Sequence, residues 1–193
     1  MYHELLEKGY ACLRRSDPEA ARVRFQHAID SEPERPQGYF GLAQTSLVDH
    51  LASEEAIQAL EQALEADPTY APARAFLGIE LLKKYEVHGA EEALTQALSD
   101  EPTNLLVHIK YAEYYYRLGF YNRTVEVLEQ GLHAPHGANE HVVALARRLL
   151  SEARQKSKTL ILREPPDPRP QRLLRLFSRL KSRKRAVNMG EAG

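Results

Sequence analysis

The stretch Ala21-Arg-Val-Arg-Phe25-Gln-His-Ala28-Ile-Asp-Ser-Glu-Pro33 sets a spacing of small, large, small and proline that returns down the chain. It comes back as Ala56, Leu60, Ala63 and Pro68, and again as Ala90, Leu94, Ala97 and Pro102, at steps of 35 and then 34 residues. A degenerate copy follows as Thr124, Leu128 and Gly131, with Pro135 one place early. Upstream in each unit stands a matching pair: Lys8-Gly9, Leu42-Ala43, Leu77-Gly78 and Tyr111-Ala112. Small residues let two helices approach closely, and the large residue between them fills the space to the next helix. A proline past the second helix stops it, because it lacks the amide donor and disfavours helix in the residue before it. Each unit is then a helical hairpin that cannot bury its apolar face alone, and stacked neighbours bury it.

On these residues the sequence resembles the tetratricopeptide-repeat (TPR) family, and the resemblance covers residues 2–138. It implies an all-α solenoid of about four helical hairpins with right-handed superhelical winding. Repeats fall at 2–35, 36–70, 71–104 and 105–138, with one extra residue of the second repeat near Asp49 to Ala52. A period of 34 to 35 argues against Sel1-like and HEAT-like arrays, since HEAT units run longer. Asp17-Pro18-Glu19 reads as an N-cap, a first-turn proline and an acid on the positive helix end; Ser53-Glu54-Glu55 repeats the signal. Residues 139–157 read as an amphipathic capping helix, with Val142, Val143, Leu145, Ala146, Leu149 and Leu150 at helical spacing and Arg147, Arg148, Glu152 and Arg154 on its outer side. The TPR domain is thus placed at 2–157.

Length and composition fit this reading. The chain has 193 residues, 27% of them charged and 43% hydrophobic, as in ordinary globular proteins. No apolar run reaches membrane-spanning length. Met1 to Arg15 shows no basic flank followed by an apolar core, so no secretory signal is expected. A single cysteine, Cys12, forbids an internal disulfide and reads as a small core residue. A cytoplasmic protein is the expectation, with attachment to a membrane surface as its variant.

The resemblance implies that the first helices of the repeats line the concave face. Carried over position by position, the peptide-binding groove is placed at Leu6, Tyr10 and Leu13, at Phe40, Gln44 and Leu47, at Ile79 and Leu82, and at Ile109, Glu113 and Tyr116. The surface so assembled is largely apolar, as interaction sites on soluble proteins often are. TPR domains that clamp a carboxy-terminal carboxylate carry Lys and Asn where this chain has Leu6 and Tyr10, which disfavours that ligand. An apolar or amphipathic polypeptide segment is the expected partner. The same residues read equally as packing between neighbouring first helices, and Tyr111, Tyr114, Tyr115, Tyr116, Phe120 and Tyr121 read as interface or as core.

The net charge of −1 divides unevenly: residues 158–193 carry ten Lys/Arg against three Asp/Glu, a net of +7, and residues 1–157 carry the balance of −8. Residues 158–170 hold Glu164-Pro-Pro-Asp-Pro-Arg-Pro170, a proline-rich spacer. Residues 171–187 read as a basic amphipathic helix with Leu173, Phe177 and Leu180 on one stripe and Arg172, Arg175, Arg179 and Arg183 around it; 188–193 read as disordered. Four readings of this tail stand open. It is a ligand for the groove of its own or a second chain (the latter making a homodimer), an anchor on anionic membrane, a nucleic-acid contact, or a solvated extension. Nucleic acid is the least favoured, with one aromatic, Phe177, and no recognisable binding fold.

No catalytic set emerges. His133, His136 and His141 gather around a turn without a matching carboxylate or thiolate, and the glycines are dispersed, without a phosphate loop. The expectation is a non-catalytic adaptor, assembly factor or chaperone without a cofactor, alternatively a membrane-peripheral scaffold.

Overall fold

The computed structural model describes residues 1–47 and 52–160. The basic tail and the turn assigned the extra residue lie outside the described residues, apart from Ala52 and residues 158–160. The described residues form nine helices and no strand: α1 (Tyr2–Arg14), α2 (Pro18–Ser31), α3 (Pro36–Thr45), α4 (Glu54–Ala66), α5 (Ala71–Lys83), α6 (Val87–Asp100), α7 (Leu105–Arg117), α8 (Tyr121–His133) and α9 (Glu140–Leu160). The chain divides into two units, 1–155 and 156–193, and the packing below concerns the first.

Local chemistry sets the helix ends. Asp17 accepts from the Ala20 amide at 3.0 Å, Ser53 from Ala56 at 3.2 Å, Asn104 from Leu106 at 2.9 Å and Asn139 from Val142 at 3.0 Å. In three of the hairpins the first helix is followed by a left-handed residue. Ser16 (φ 60°), Tyr85 (φ 63°) and Gly119 (φ 83°) occupy equivalent places. The next amide in each case reaches back five residues, Asp17 to Cys12, Glu86 to Leu81 and Phe120 to Tyr115. This is the Schellman arrangement that satisfies the last carbonyls of a helix. The second helices close alike, with Glu32, Asp67 and Glu101 donating to Ala28, Ala63 and Ala97.

The hairpins are α1–α2, α3–α4, α5–α6 and α7–α8. Each second helix also packs on the first helix of the following hairpin, from α2 on α3 to α6 on α7. Ala21, Phe25, Ala28, Ala56, Leu60, Ala63, Ala90, Leu94 and Ala97 are fully buried, so the repeated spacing is the core itself. Thr124 and Leu128 hold the same places in α8, and Thr124 satisfies its buried hydroxyl on the Phe120 carbonyl. First helices also touch one another directly, α1 on α3, α3 on α5 and α5 on α7, whereas no comparable contact joins two second helices among the described residues. The hairpins therefore fan with the first helices on the inner side.

Helix α9 buries Ala146, Leu150 and Ala153 and exposes Arg147, Arg148, Glu152 and Arg154. Arg154 pairs with Glu129 of α8 at 2.7 Å. Two polar anchors cross the interior. Arg74 and Asp100 pair at 3.2 Å between α5 and the end of α6. Glu80, 1% exposed, pairs with Lys83 at 2.6 Å and accepts the Ser53 amide at 3.0 Å. Helix α7 buries Ala112 and Tyr114, while Tyr111, Tyr115, Tyr116, Phe120 and Tyr121 are half-buried around them.

The inner face of the first helices as candidate binding surface

Helices α1, α3, α5 and α7 supply the inner face, and the expected groove residues divide on it. Leu6, Phe40, Ile79, Leu82 and Ile109 are 3–8% exposed and belong to the core clusters. Their clusters draw on second helices as well as first ones. Phe40 stands edge-on to Tyr70 and to Phe76, with centroids 5.6 and 5.1 Å apart. These five act in packing, a correction to the surface role expected of them. Tyr10, Leu13, Gln44, Leu47, Glu113 and Tyr116 are half-buried and are the members of that set open to solvent.

At one end of the face, Tyr10 packs edge-on to Phe25 at 5.1 Å, and burial pushes its phenol up to about 12 against a hydrogen bond with Gln44. Burial likewise raises Tyr70 well above the usual phenol range, with Tyr10 and Glu101 adding to it. Across α1 and α3, the Tyr2 hydroxyl donates to Gln37 at 3.2 Å and accepts the Gly38 amide at 3.1 Å.

At the other end, α7 carries Lys110, Glu113 and Arg117, spaced i, i+3 and i+7 so that they share a helical face. Lys110 Nζ donates to Glu113 Oε2 at 2.8 Å; Arg117 Nη2 and Nε donate to Oε1 at 2.7 and 2.8 Å. The three side chains are only 18–25% exposed. Lys110 Nζ also sits 4.2 Å from the centroid of the Phe76 ring on α5. Burial raises the Glu113 carboxyl, but Lys110 and Arg117 outweigh it and hold the group below its ordinary value. Lys110, Arg117 and Phe76 were absent from the expected set, because they lie one place beyond the carried-over positions. The Lys-x-x-Glu-x-x-x-Arg spacing was the available signal.

The histidine turn lies beside the start of α7, where its cleft also touches Leu106. His136 borders a cleft of about 590 Å³ with Asp100, Glu101, Asn104, Asn139 and Val142. His133 contacts the Glu129 carbonyl at 2.6 Å, and His136 accepts the Ala138 amide. Among the described residues, no group of three metal-ligating side chains converges and no helix is long and apolar enough to cross a membrane.

No family model matches the chain. It is 27% identical over 128 residues to mouse interferon-induced protein with tetratricopeptide repeats 3, covering 65% of this chain and 32% of that protein. It is 28% identical over 130 residues to the interferon-induced protein with tetratricopeptide repeats 2 of Cricetulus griseus, covering 65% and 28%. The chain thus spans about a third of the length of the curated relatives it matches. Among solved structures, it superposes on the APC/C hetero-tetramer Cut9-Hcn1 with a TM-score of 0.66 at 18% identity, over 82% of this chain and 31% of that one. TTC0263, a thermophilic TPR protein of Thermus thermophilus, gives 0.62 at 20% identity over 94% and 98%. The human IFIT1 dimer with m7Gppp-AAAA gives 0.64 at 18% identity over 85% and 38%. At these identities the structures speak to the fold. With the repeat spacing buried as the core and TPR proteins recovered by both sequence and structure, the chain has the fold of a tetratricopeptide-repeat solenoid.

Proposed function

We propose that this chain is a non-catalytic adaptor that captures an apolar or amphipathic polypeptide segment on the inner face of its first helices. The observation that carries the reading is the half-buried row of Tyr10, Leu13, Gln44, Leu47 and Tyr116 on the face where first helices converge. Such a surface offers aromatic anchors with polar tips above a fixed core, which suits an extended or helical ligand. One structural neighbour, human IFIT1, is seen with m7Gppp-AAAA, so RNA is the competing ligand that the test must include.

The test is selection of displayed random peptides on the full chain, followed by binding of the enriched peptides to Tyr10→Asp and Gln44→Arg variants that keep their helical circular dichroism. Apolar or amphipathic peptides should be enriched, and each substitution should weaken them. Peptides that bind both variants as tightly as the parent chain would remove the inner face from the mechanism. No enrichment, with binding of single-stranded RNA instead, would replace the polypeptide reading.

A further inference from the structure

Charge on this solenoid is segregated by layer. The inner helices α1, α3, α5 and α7 carry six Lys/Arg and four Asp/Glu, a net of +2. The outer helices α2, α4, α6 and α8 carry three Lys/Arg and eleven Asp/Glu, a net of −8. Stacking requires an apolar inner side of each outer helix, but not one sign of charge on its solvent side. The exposed acids Glu54, Glu55, Glu61, Glu65, Glu92 and Glu126 make the outer surface repel anions. A field of this shape steers an anionic ligand away from the outer helices and toward the inner ones.

The inner layer has a place for such a ligand to end. Lys110 and Arg117 share one carboxylate, Glu113, so the three-membered cluster has a net charge of +1. It is partly withdrawn from water, which weakens screening and strengthens any further charge-assisted contact. The cluster is fixed in place. Phe76 packs under the Lys110 ammonium, and both Glu113 oxygens are held. Tyr116 on the same helix and Leu106 one turn before Lys110 flank it with apolar surface.

We infer that the segment captured on the inner face is acidic, and that one of its carboxylates docks on Lys110 and Arg117 while apolar neighbours lie against Leu106 and Tyr116. This rests on the polypeptide-binding reading above and specifies its partner. Glu113 then has a second part: by occupying the cations it sets how much anionic charge the site accepts.

The experiment is fluorescence anisotropy of the full chain with three labelled probes. They are a short amphipathic peptide of leucine and glutamate, its twin with lysine for glutamate, and single-stranded oligoadenylate RNA. The glutamate peptide should bind most tightly and weaken with added salt. Lys110→Glu and Arg117→Glu should each weaken it about tenfold, the worth of one charge-assisted contact. Glu113→Gln should tighten it a few-fold. Using both Lys110→Glu and Arg117→Glu, each checked by circular dichroism, keeps the test open should either fail to fold. Undiminished binding of the glutamate peptide to both variants would assign it to the basic residues 158–193 and overturn the inference. Preference for the lysine peptide, lost in Tyr10→Asp, would overturn it while leaving the polypeptide reading intact. RNA binding that depends on Lys110, without peptide binding, would overturn both.

Discussion

The ring of Phe25 lies so close to Gly41 that a Cβ at that glycine would stand 2.3 Å from ring carbons. On its other side a Cβ at Gly9 would come within 2.6 Å. Phe25 is fully buried between the two helices and has nowhere to retreat. Gly41→Ala should therefore destabilise by about 2 kcal/mol through overpacking, even though alanine favours a helix over glycine by about 1 kcal/mol. Gly89→Ala is the control, since its Cβ would meet only Leu81 at 3.7 Å. It should be neutral or stabilising by up to about 1 kcal/mol. Urea denaturation of the two variants decides it; equal stability would show that the small residues are not required by close approach.

That contact explains why the fold was legible. The same close approach recurs, since a Cβ at Gly78 would stand 2.8 Å from Leu94, so the constraint is written at a fixed period. The binding face was only partly legible. Phe40 and Gln44 stand one turn apart on α3, yet Phe40 is core and Gln44 is half-open, because Tyr70 and Phe76 close over the first. Which side a first-helix residue takes depends on how neighbouring hairpins approach, and a single repeat does not encode that. Lys110 and Arg117 lie one place beyond the carried-over positions, and the Lys110 partner Phe76 lies a whole repeat away. Tyr85 was overlooked because its signal is conformational.

Tyr85 is 91% exposed with φ at 63°, in the place taken by Ser16 and Gly119 in other hairpins. A bulky residue there costs about 1 kcal/mol or more, with no burial to offset it. Tyr85→Gly should raise stability by roughly 0.5–1 kcal/mol, which for a domain of this size is about 1–4 °C in melting temperature. A lowered melting temperature would show that the ring makes a stabilising contact outweighing its backbone strain.

The Glu80–Lys83 pair is closed off from water, with side chains 1% and 6% exposed. Glu80→Ala removes the carboxylate from a buried ammonium and from the Ser53 amide, the N-cap residue of α4. The loss should be roughly 3 kcal/mol. Glu80→Leu combined with Lys83→Met should recover much of it, since buried ion pairs are often replaceable by apolar residues of similar volume. Chemical denaturation of the single and double variants measures this. A double variant no more stable than the single one would mean that the tie to Ser53 matters more than the charge pair.

Five of the ten tyrosines, Tyr2, Tyr10, Tyr70, Tyr114 and Tyr115, are held above the usual phenol range, each chiefly by burial. The sign of the consequence follows from proton binding. Above about pH 10 the unfolded chain loses phenolic protons that the folded chain keeps, so stability falls as pH rises. The contribution is complete below about pH 10, and that of Tyr10 is lost as pH passes through about 12. Phenolate absorbance is followed together with helical circular dichroism. The buried group should ionise only in step with loss of helix. Phenolate appearing in one smooth transition near pH ~10, without loss of helix, would show that the packing around Tyr10, Tyr70 and Tyr114 admits water and is not the closed core described above.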